Sequence, residues 1–517
     1  MRTLIIHTLL GSGALLAQGP PGQLTTIGLE SGQVVEHTWL GDVSGDGRDD
    51  LVIATREPGK SFMRRLLVHF RSAAAATPFS QKPDLTLTLP NTVTAVGVGD
   101  LHPDPRSEIA WFGARGVYVW RPRAEEAERI VKIVDGSLLF QFPHPMRVYS
   151  WQNGIRDLDR DGLPDLVLPE SNGYRVAVQR RNETTAVSEF VVSVLSLPPI
   201  PPEAQASRPA SVRSTGQGSA DQFRLSGFGI EPPQPPLVDI AEEVPAPLFH
   251  DFDGDGDLDL VSRRGAELFV WLQGEGGSFT ERPTDEFDFP LTSEQTRLDY
   301  SFKALLTDYD LDNHTDVVLL TKDRDSDDIR TQILFFPQTA GQGKRLFAEG
   351  VPQQLLVLAG VTTLPRVTDI DGDGAPDLHV GSFRLDVLEQ LTNAGERTVA
   401  VDIYIYLNRN GRFSRRPDLT HKITLQGDLL GQGGDRLFGR FIGDATGDGI
   451  SDLLVRDRSQ RMQLFMVRRS GANLSTVPRP IREFTIEETA NIHHFPEDAP
   501  RRGFLILERR QVTVVEF

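Results

Sequence analysis

The clearest of seven similar acidic loops in this chain reads Asp157-Leu158-Asp159-Arg160-Asp161-Gly162-Leu163-Pro164-Asp165, and it leads into the apolar run Leu166-Val167-Leu168. Carboxylates stand at positions 1, 3, 5 and 9 of this loop, and a glycine stands at position 6. Calcium takes six to eight oxygen ligands, and alternating aspartates on a tight turn direct several oxygens at one centre. The glycine allows the sharp bend at little steric cost. The pattern therefore predicts a calcium-binding turn.

The other six loops begin at Asp42, Asp100, Asp251, Asp308, Asp369 and Asp444. Successive loops start 58, 57, 94, 57, 61 and 75 residues apart, so the basic unit has 57 to 61 residues with two insertions. In each unit a short strand leaves the loop, and a strand rich in β-branched and aromatic residues follows, such as Val117-Tyr118-Val119-Trp120. Four short antiparallel strands per unit predict an all-β fold, a β-propeller of four-stranded blades. The strands that flank each loop argue against an EF-hand, whose loop lies between helices.

The end of the chain predicts an eighth blade. Residues 504–507 and 512–515 repeat the two strand patterns, whereas the segment 495–502 before them lacks the acidic pattern. The outermost strand of this last unit is missing from the C-terminus, and an unmatched strand-like segment, 24–29, precedes the first loop. We therefore expect the N-terminal strand to close the last blade. The alternative is a seven-bladed propeller with an additional C-terminal hairpin.

Two segments fall outside the repeats. Residues 1–17, with Arg2 and a mostly apolar stretch from residue 4, predict a secretory signal peptide, with a buried first strand as the alternative. Residues 22–517 are then expected to form a single β-propeller domain. Within it, residues 198–247 are rich in proline, serine and glycine and lack a hydrophobic period, which predicts a long exposed insertion or a binding loop. We expect a secreted protein, extracellular or periplasmic, because loops of this kind fill at the millimolar calcium found outside cells.

Composition narrows the possible partners. The chain has 72 acidic and 54 basic residues, a formal net charge of −18, which repels nucleic acid and attracts cations. The absence of cysteine excludes disulfides, thiolate metal sites and a cysteine nucleophile. No later apolar run reaches 18 residues, so no membrane span is expected.

The repeated D-x-D-x-D-G-x-x-D pattern, followed by a strand rich in leucine and valine, resembles the FG-GAP and VCBS repeats of integrin alpha-subunit propellers and of many secreted bacterial proteins. The resemblance covers nearly the whole mature chain. It implies that the side chains at positions 1, 3, 5 and 9 and the backbone carbonyl at position 7 hold calcium in a loop between two strands of one blade. The three strongest sites that it implies are Asp157, Asp159, Asp161 and Asp165; Asp251, Asp253, Asp255 and Asp259; and Asp369, Asp371, Asp373 and Asp377.

The remaining loops depart from the pattern to different degrees. The loop that begins at Asp308 keeps all four acids, namely Asp308, Asp310, Asp312 and Asp316, and Asn313 replaces its glycine. Asparagine tolerates left-handed backbone, so this site is expected to fill. Two loops have a hydroxyl at position 3 and should bind more weakly, namely Asp42, Ser44, Asp46 and Asp50, and Asp444, Thr446, Asp448 and Asp452. The loop with Asp100, Asp104 and Glu108 contains His102 and Pro105 and is expected to be an empty relic. We thus expect about six calcium sites.

The sequence favours a non-enzymatic role. It has no nucleophile elbow, no zinc-type pairing of histidine with glutamate and no glycine-rich phosphate loop. We expect a secreted, calcium-stabilised propeller for adhesion, binding or scaffolding, with a protein or polysaccharide partner. The alternative is a secreted polysaccharide lyase or hydrolase, since some bacterial lyases contain similar calcium-rich propellers. Arginine, histidine, lysine or tyrosine side chains converging at the central channel would favour that alternative. His493-His494 is expected to be partly buried packing on an inner strand.

Overall fold

The structure is a computed structural model. It describes residues 23–517 apart from residues 61–62, 74–77, 104–105, 122–123, 126–128, 137–146, 171, 182–187, 200–246, 265–266, 289–302, 326–327, 339–351, 364, 384–397, 427–438, 459, 472 and 496–501. The predicted signal peptide lies outside the described residues, and so does nearly all of the predicted insertion at 198–247. No helix in the described ranges has the length and apolar character needed to cross a membrane.

Eight four-stranded antiparallel sheets follow one another along the chain and form the blades of a β-propeller, as predicted. Blade one contains β2 (Val34–Gly41), β3 (Asp50–Arg56), β4 (Arg64–His69) and β5 (Leu85–Thr88). Blade two contains β6 (Ala95–Gly99), β7 (Glu108–Gly113), β8 (Gly116–Trp120) and β9 (Ile130–Asp135), and β10 (Tyr149–Ser150) pairs in parallel with β6. Blade three follows a 3₁₀ turn (Gln152–Gly154) and contains β11 (Ile155–Arg156), β12 (Asp165–Glu170), β13 (Gly173–Arg181) and β14 (Ser188–Ser196).

The next three blades have the same order. Blade four contains β15 (Leu248–His250), β16 (Asp259–Arg264), β17 (Glu267–Trp271) and β20 (Asp285–Asp288), with a small hairpin of β18 (Gln273–Gly274) and β19 (Ser278–Phe279). Blade five contains β21 (Lys303–Thr307), β22 (Asp316–Asp325), β23 (Asp328–Phe336) and β24 (Gln354–Ala359). Blade six contains β25 (Val361–Thr362) and β26 (Arg366–Thr368), both paired with β27 (Asp377–Phe383), then β28 (Thr398–Tyr406) and β29 (Leu419–Gln426).

The last two blades complete the ring. Blade seven contains β30 (Gly439–Phe441), β31 (Leu453–Arg458), β32 (Arg461–Phe465) and β35 (Arg482–Thr485), with a hairpin of β33 (Val467–Ser470) and β34 (Asn473–Thr476). Blade eight contains β36 (Asn491–His494), β37 (Gly503–Leu507) and β38 (Gln511–Glu516), and its outermost strand is β1 (Gln23–Gly28). The described chain therefore has eight blades, and the seven-bladed alternative is wrong.

Closure of the ring joins the two ends of the described chain. β1 pairs antiparallel with β38 from Gln23 opposite Glu516 to Gly28 opposite Gln511. This confirms the prediction that the N-terminal strand completes the last blade. An ion pair between Arg71 and Glu516, 2.6 Å long with both side chains only 5% exposed, joins blade one to blade eight beside this strand pair.

The hydrophobic core lies between adjacent blades. One buried cluster packs Leu51 and Ile53 of blade one against Val512 and Val514 of blade eight. The second strand of a blade is buried on both faces because each face meets a neighbouring blade; all of β3 is buried except its last residue. Outermost strands such as β5 alternate between half-buried and exposed positions, as expected for a strand with one solvated face. This radial order places the first strand of each blade nearest the central axis.

Candidate metal centres

The acidic loops connect the first strand of a blade to its second strand. In blade three, Asp157 directly follows β11, and Asp165 is the first residue of β12. Blades one, four, five and six repeat this arrangement, and in blade seven Asp452 comes one residue before β31. Because first strands of successive blades run in the same direction, all of these loops lie at one end of the propeller.

The position 1 aspartate closes each loop. Its Oδ2 atom accepts a hydrogen bond from the backbone N–H of position 6 in six loops, at distances of 2.7 to 3.1 Å; the donors are Gly47, Gly162, Gly256, Asn313, Gly374 and Gly449. Asn313 takes a φ of 68°, so asparagine adopts the left-handed backbone that glycine adopts elsewhere. Position 4 is left-handed as well: glycine occupies it in four loops, and Arg160 and Leu311 take φ values of 54° and 60° in the other two.

The position 9 aspartate links three parts of its blade. Asp165 is completely buried. Its Oδ2 atom accepts the backbone N–H of Leu158 in the loop at 2.8 Å, and its Oδ1 atom accepts the backbone N–H of Gln179 on β13 at 2.7 Å. The same two-sided bonding, to the loop and to the end of the third strand, occurs at Asp50, Asp259, Asp316, Asp377 and Asp452. Sequence reasoning identified these residues only as metal ligands and missed this structural role.

Carboxylates come together in four of the loops. Three carboxylate oxygens lie within 4.8 Å of one another in each of the sets Asp157, Asp159 and Asp165; Asp251, Asp253 and Asp255; Asp308, Asp310 and Asp316; and Asp369, Asp371 and Asp377. These are the three loops expected to be strongest and the loop with asparagine at position 6. The loops that contain Ser44 and Thr446 form no such set among the described residues, and their weaker binding stays a prediction.

The predicted ligands Asp161, Asp312, Asp373 and Asp259 lie in these loops but outside the close sets. The first three are position 5 residues, and their Oδ1 atoms accept the backbone N–H of position 7 at 2.8 to 2.9 Å. Position 5 therefore shapes the turn in addition to offering a second oxygen.

Several oxygens in these sets are buried without a hydrogen-bond partner, among them Oδ1 of Asp157, of Asp310 and of Asp371. The side chain of Asp371 is only 3% exposed. An unsatisfied buried carboxylate oxygen is costly, and a hard cation that accepts several oxygen ligands would satisfy it. The donor sets consist of carboxylate oxygens without sulfur, which suits calcium. The residues present therefore fit the ion that the sequence predicts.

Electrostatic strain in the loops supports the same conclusion. Burial raises the pKa of Asp165 to about 7, backbone hydrogen bonds partly offset the rise, and the nearby charges of Asp159 and Asp161 add to it. Burial likewise raises the pKa of Asp259, Asp316 and Asp377 to about 7, and that of Asp50 and Asp452 to about 6. The loops thus hold carboxylates that repel one another, and a bound cation would relieve this repulsion.

Arginine side chains supply part of the missing positive charge in some loops. Arg180 forms an ion pair with Asp159 and lies 3.6 Å from Asp161. Arg469, on β33 of blade seven, lies 3.3 Å from the Oδ2 atom of Asp371 in blade six. Sequence spacing did not indicate the second contact, because the two residues belong to different blades.

The second loop, which begins at Asp100, keeps the position 9 contact, and its described residues form no set of close carboxylates. Glu108 opens β7, is completely buried, and accepts the backbone N–H of Leu101 at 2.9 Å. Asp104 and Pro105 lie outside the described residues. That this loop is an empty relic stays a prediction.

No family model matches this chain, and no curated protein matches it. Solved structures of other proteins are similar to this chain over most of its length. A lectin from Agrocybe aegerita, whose structure is described as a basis for recognising non-reducing terminal N-acetylglucosamine, is 16% identical with a TM-score of 0.39 over 90% of each chain. Sqt1 from Chaetomium thermophilum is 12% identical with a TM-score of 0.40 over 90% of this chain and 92% of its own. Sqt1 from Saccharomyces cerevisiae is 11% identical with a TM-score of 0.32 over 82% and 95%.

Proposed function

We propose that this protein is a calcium-stabilised β-propeller of the FG-GAP and VCBS type that serves as a binding or scaffold module for a protein or polysaccharide partner. The observation that carries the calcium assignment is the Oδ1 atom of Asp371, which is buried without a hydrogen-bond partner beside Asp369 and Asp377. A divalent cation at this point would satisfy that oxygen and reduce the repulsion among the three carboxylates. Two further loops, in blades three and five, bring the same three positions together, and the loop of blade four brings positions 1, 3 and 5 together.

The binding role rests on the residues, because a propeller fold by itself hosts unrelated functions. The chain contains none of the nucleophile, zinc or phosphate-loop motifs considered above. A closed ring of eight blades presents rigid loops at both ends, which suits recognition of a large partner. An extracellular or periplasmic location, reached through the signal peptide predicted at residues 1–17, would expose the loops to the calcium concentrations at which such sites fill.

Calcium titration of the full chain by isothermal calorimetry, with metal analysis of the dialysed protein, tests the metal assignment. We expect about six bound ions at roughly 1 mM calcium. Asp371→Asn should remove one of them, whereas Glu275→Gln, an exposed acidic position in a turn of blade four, should remove none. Protein that binds no calcium at this concentration would overturn the assignment.

A screen against glycans and cell surfaces, run in calcium and again in chelator, tests the binding role. Binding that appears in calcium and disappears in chelator supports a calcium-stabilised binding module. A protein that is folded and calcium-loaded but binds no surface, glycan or protein extract would contradict it.

The enzymatic alternative, a polysaccharide lyase or hydrolase, stays a prediction. One observation bears on it: basic residues lie on the first strands of blades six, seven, eight and one. Incubating the calcium-loaded protein with acidic and neutral polysaccharides, and measuring new reducing ends and unsaturated products, distinguishes cleavage from binding.

A further inference from the structure

Basic residues occur on the first strands of seven blades, and those on four consecutive blades also affect one another electrostatically. Arg366 lies on β26 of blade six, Arg440 on β30 of blade seven, His493 and His494 on β36 of blade eight, and His37 on β2 of blade one. First strands surround the central axis of a propeller, so these residues lie along one part of the channel wall. Arg366 is exposed and the other four are half-buried, with the Nε atom of Arg440 and the Nε2 atom of His494 buried.

These groups are close enough to act on one another electrostatically. The charge of Arg440 adds to the effect of burial in lowering the pKa of His493 and of His494 on the next blade. The charge of Arg366 also lowers the pKa of His494, across two blades. His493 acts in the same direction on His37 of blade one. The five residues therefore form one cluster, which we call the basic wall.

The sign of the local charge opposes that of the whole chain. In the part of the chain that the structure describes, the permanently charged groups that lower the pKa of His37, His493 or His494 are all arginines, namely Arg147, Arg366 and Arg440. The neighbouring carboxylate of Glu36 pairs with Arg56 at 2.9 Å and accepts the backbone N–H of Val148 at 2.9 Å. A chain with a formal net charge of −18 thus has a positive region at its centre.

We propose that the basic wall binds the carboxylate or sulfate groups of an acidic polysaccharide. This proposal rests on the binding function proposed above and names the chemistry of its ligand. Arg366 and Arg440 also have interactions within the chain, so the attraction comes from the combined positive field and not from vacant donors.

The histidines favour a sugar acid over an acidic peptide. Burial and the positive neighbours lower the pKa of His37 and of His494 to about 4, so both imidazoles are neutral at pH 7. A neutral imidazole has one donor and one acceptor nitrogen. His37 uses one nitrogen in a hydrogen bond with the backbone of Val148, so its second nitrogen and the Nε2 atom of His494 are the ones that match a hydroxyl group. An acidic polysaccharide presents hydroxyl groups beside each oxyanion, whereas a polyglutamate chain presents the oxyanion alone.

Direct binding measurements on the full chain in calcium test the proposal. The probes are oligogalacturonate for carboxylate, heparin-derived oligosaccharide for sulfate, a neutral cello-oligosaccharide, polyglutamate and inorganic phosphate. We expect at least one acidic oligosaccharide to bind, with an affinity that falls as salt is added, and the neutral one not to bind. Arg366→Gln/Arg440→Gln should weaken that binding at least about tenfold. The matched control Arg415→Gln/Arg416→Gln removes the same charge from an exposed turn between β28 and β29 and should bind normally.

Three results would overturn the proposal: no binding of either acidic oligosaccharide, equal weakening by the control pair, or preference for polyglutamate or phosphate over both oligosaccharides. Arg366→Gln alone, at an exposed position, keeps the test valid if the double variant fails to fold. Calcium-dependent melting is measured on the same samples. If the melting temperature depends on calcium but no acidic oligosaccharide binds, this inference alone is overturned. If calcium does not change the melting temperature, the proposed function is overturned first.

Discussion

The Oδ1 atom of Asp165 accepts a hydrogen bond from the backbone N–H of Gln179 at 2.7 Å, which ties the first residue of the second strand in blade three to the third strand. The other carboxylate oxygen accepts a backbone N–H of the acidic loop. The position 9 aspartate thus holds the loop and two strands together before any ion is considered. A metal bound nearby would therefore act on a turn that is already shaped.

Replacing Asp165 with asparagine should destabilise the protein with and without calcium. The amide keeps one acceptor and presents an N–H₂ group to a backbone donor, so one buried N–H loses its partner at a cost of roughly 1 to 3 kcal/mol. Chemical denaturation of Asp165→Asn in calcium and in chelator measures this, with the exposed Glu275→Gln as control. A loss that appears only in calcium would show that Asp165 is chiefly a metal ligand.

Breaking the ion pair that closes the ring should be costly. Arg71 and Glu516 are both buried, and Arg71→Met would leave the Glu516 carboxylate without its cation, which typically costs about 3 to 5 kcal/mol. The ion pair of the exposed Lys60 with the half-buried Glu57 provides the control, since Lys60→Met should change the free energy of unfolding by less than about 1 kcal/mol. Similar losses in the two variants would argue against a special role for the closing pair.

Removal of calcium should lower the melting temperature. If an ion binds only the folded state with a dissociation constant near 10⁻⁴ M, about 1 mM calcium contributes roughly 1.4 kcal/mol for each site. About six sites would together match the net stability of a typical domain. Differential scanning calorimetry in calcium and in chelator measures the effect. An unchanged midpoint would count heavily against a stabilising role for the ions.

Arg180 should compete with calcium in blade three. Its guanidinium pairs with Asp159, so Arg180→Gln should increase the calcium affinity of that loop while lowering stability in chelator. The adjacent, exposed Arg181→Gln serves as the matched control and should change neither quantity. Calcium titration followed by calorimetry, together with melting in chelator, checks both effects. Equal calcium affinity in the two variants would contradict the competition.

Acid should destabilise the protein in part through His37 and His494. The pKa of His37 and that of His494 are each lowered from 6.5 to about 4, chiefly by burial. His493 and Arg147 add to the effect at His37. Arg440, Arg366 and His493 add to it at His494. As the pH falls below 6.5, the unfolded chain binds protons that the folded chain does not. Stability is therefore complete above pH 6.5 and falls towards pH 4, by up to about 1.4 kcal/mol per pH unit for each histidine.

The double variant His37→Gln/His494→Gln removes both titrating groups. In saturating calcium, its free energy of unfolding should depend less steeply on pH between 6.5 and 4 than that of the unchanged protein. Other groups that titrate in this range are present in both proteins, so the difference between the two slopes reports the histidines. Identical slopes would contradict the assignment.

The fold was predictable because its signals are local. Blades one to seven each contain an acidic turn followed by two apolar strands, most of them at a spacing of about sixty residues, so spacing alone indicated a propeller. The unmatched segment at 24–29 and the missing last strand together predicted how the ring closes, and the pairing of β1 with β38 confirms it. The loops most clearly patterned in sequence are also among those whose carboxylates lie close together.

Other features depend on contacts between distant residues. The second bond of Asp165 comes from a strand 14 residues away, and the partner of Asp371 lies 98 residues away in another blade. The basic wall combines first strands from four blades, and no single segment of sequence contains enough of it to be noticed.

The sequence by itself determined the repeat, the closing role of the N-terminal strand and the acidic loops that are predicted to hold calcium, because hydrogen-bonded turns and strand alternation are set by neighbours along the chain. Only the tertiary structure decided which carboxylates are buried, which arginines face them and where positive charge collects, because burial and electrostatic interaction depend on distance in space. Closing the ring brings residues from opposite ends of the chain to the same axis.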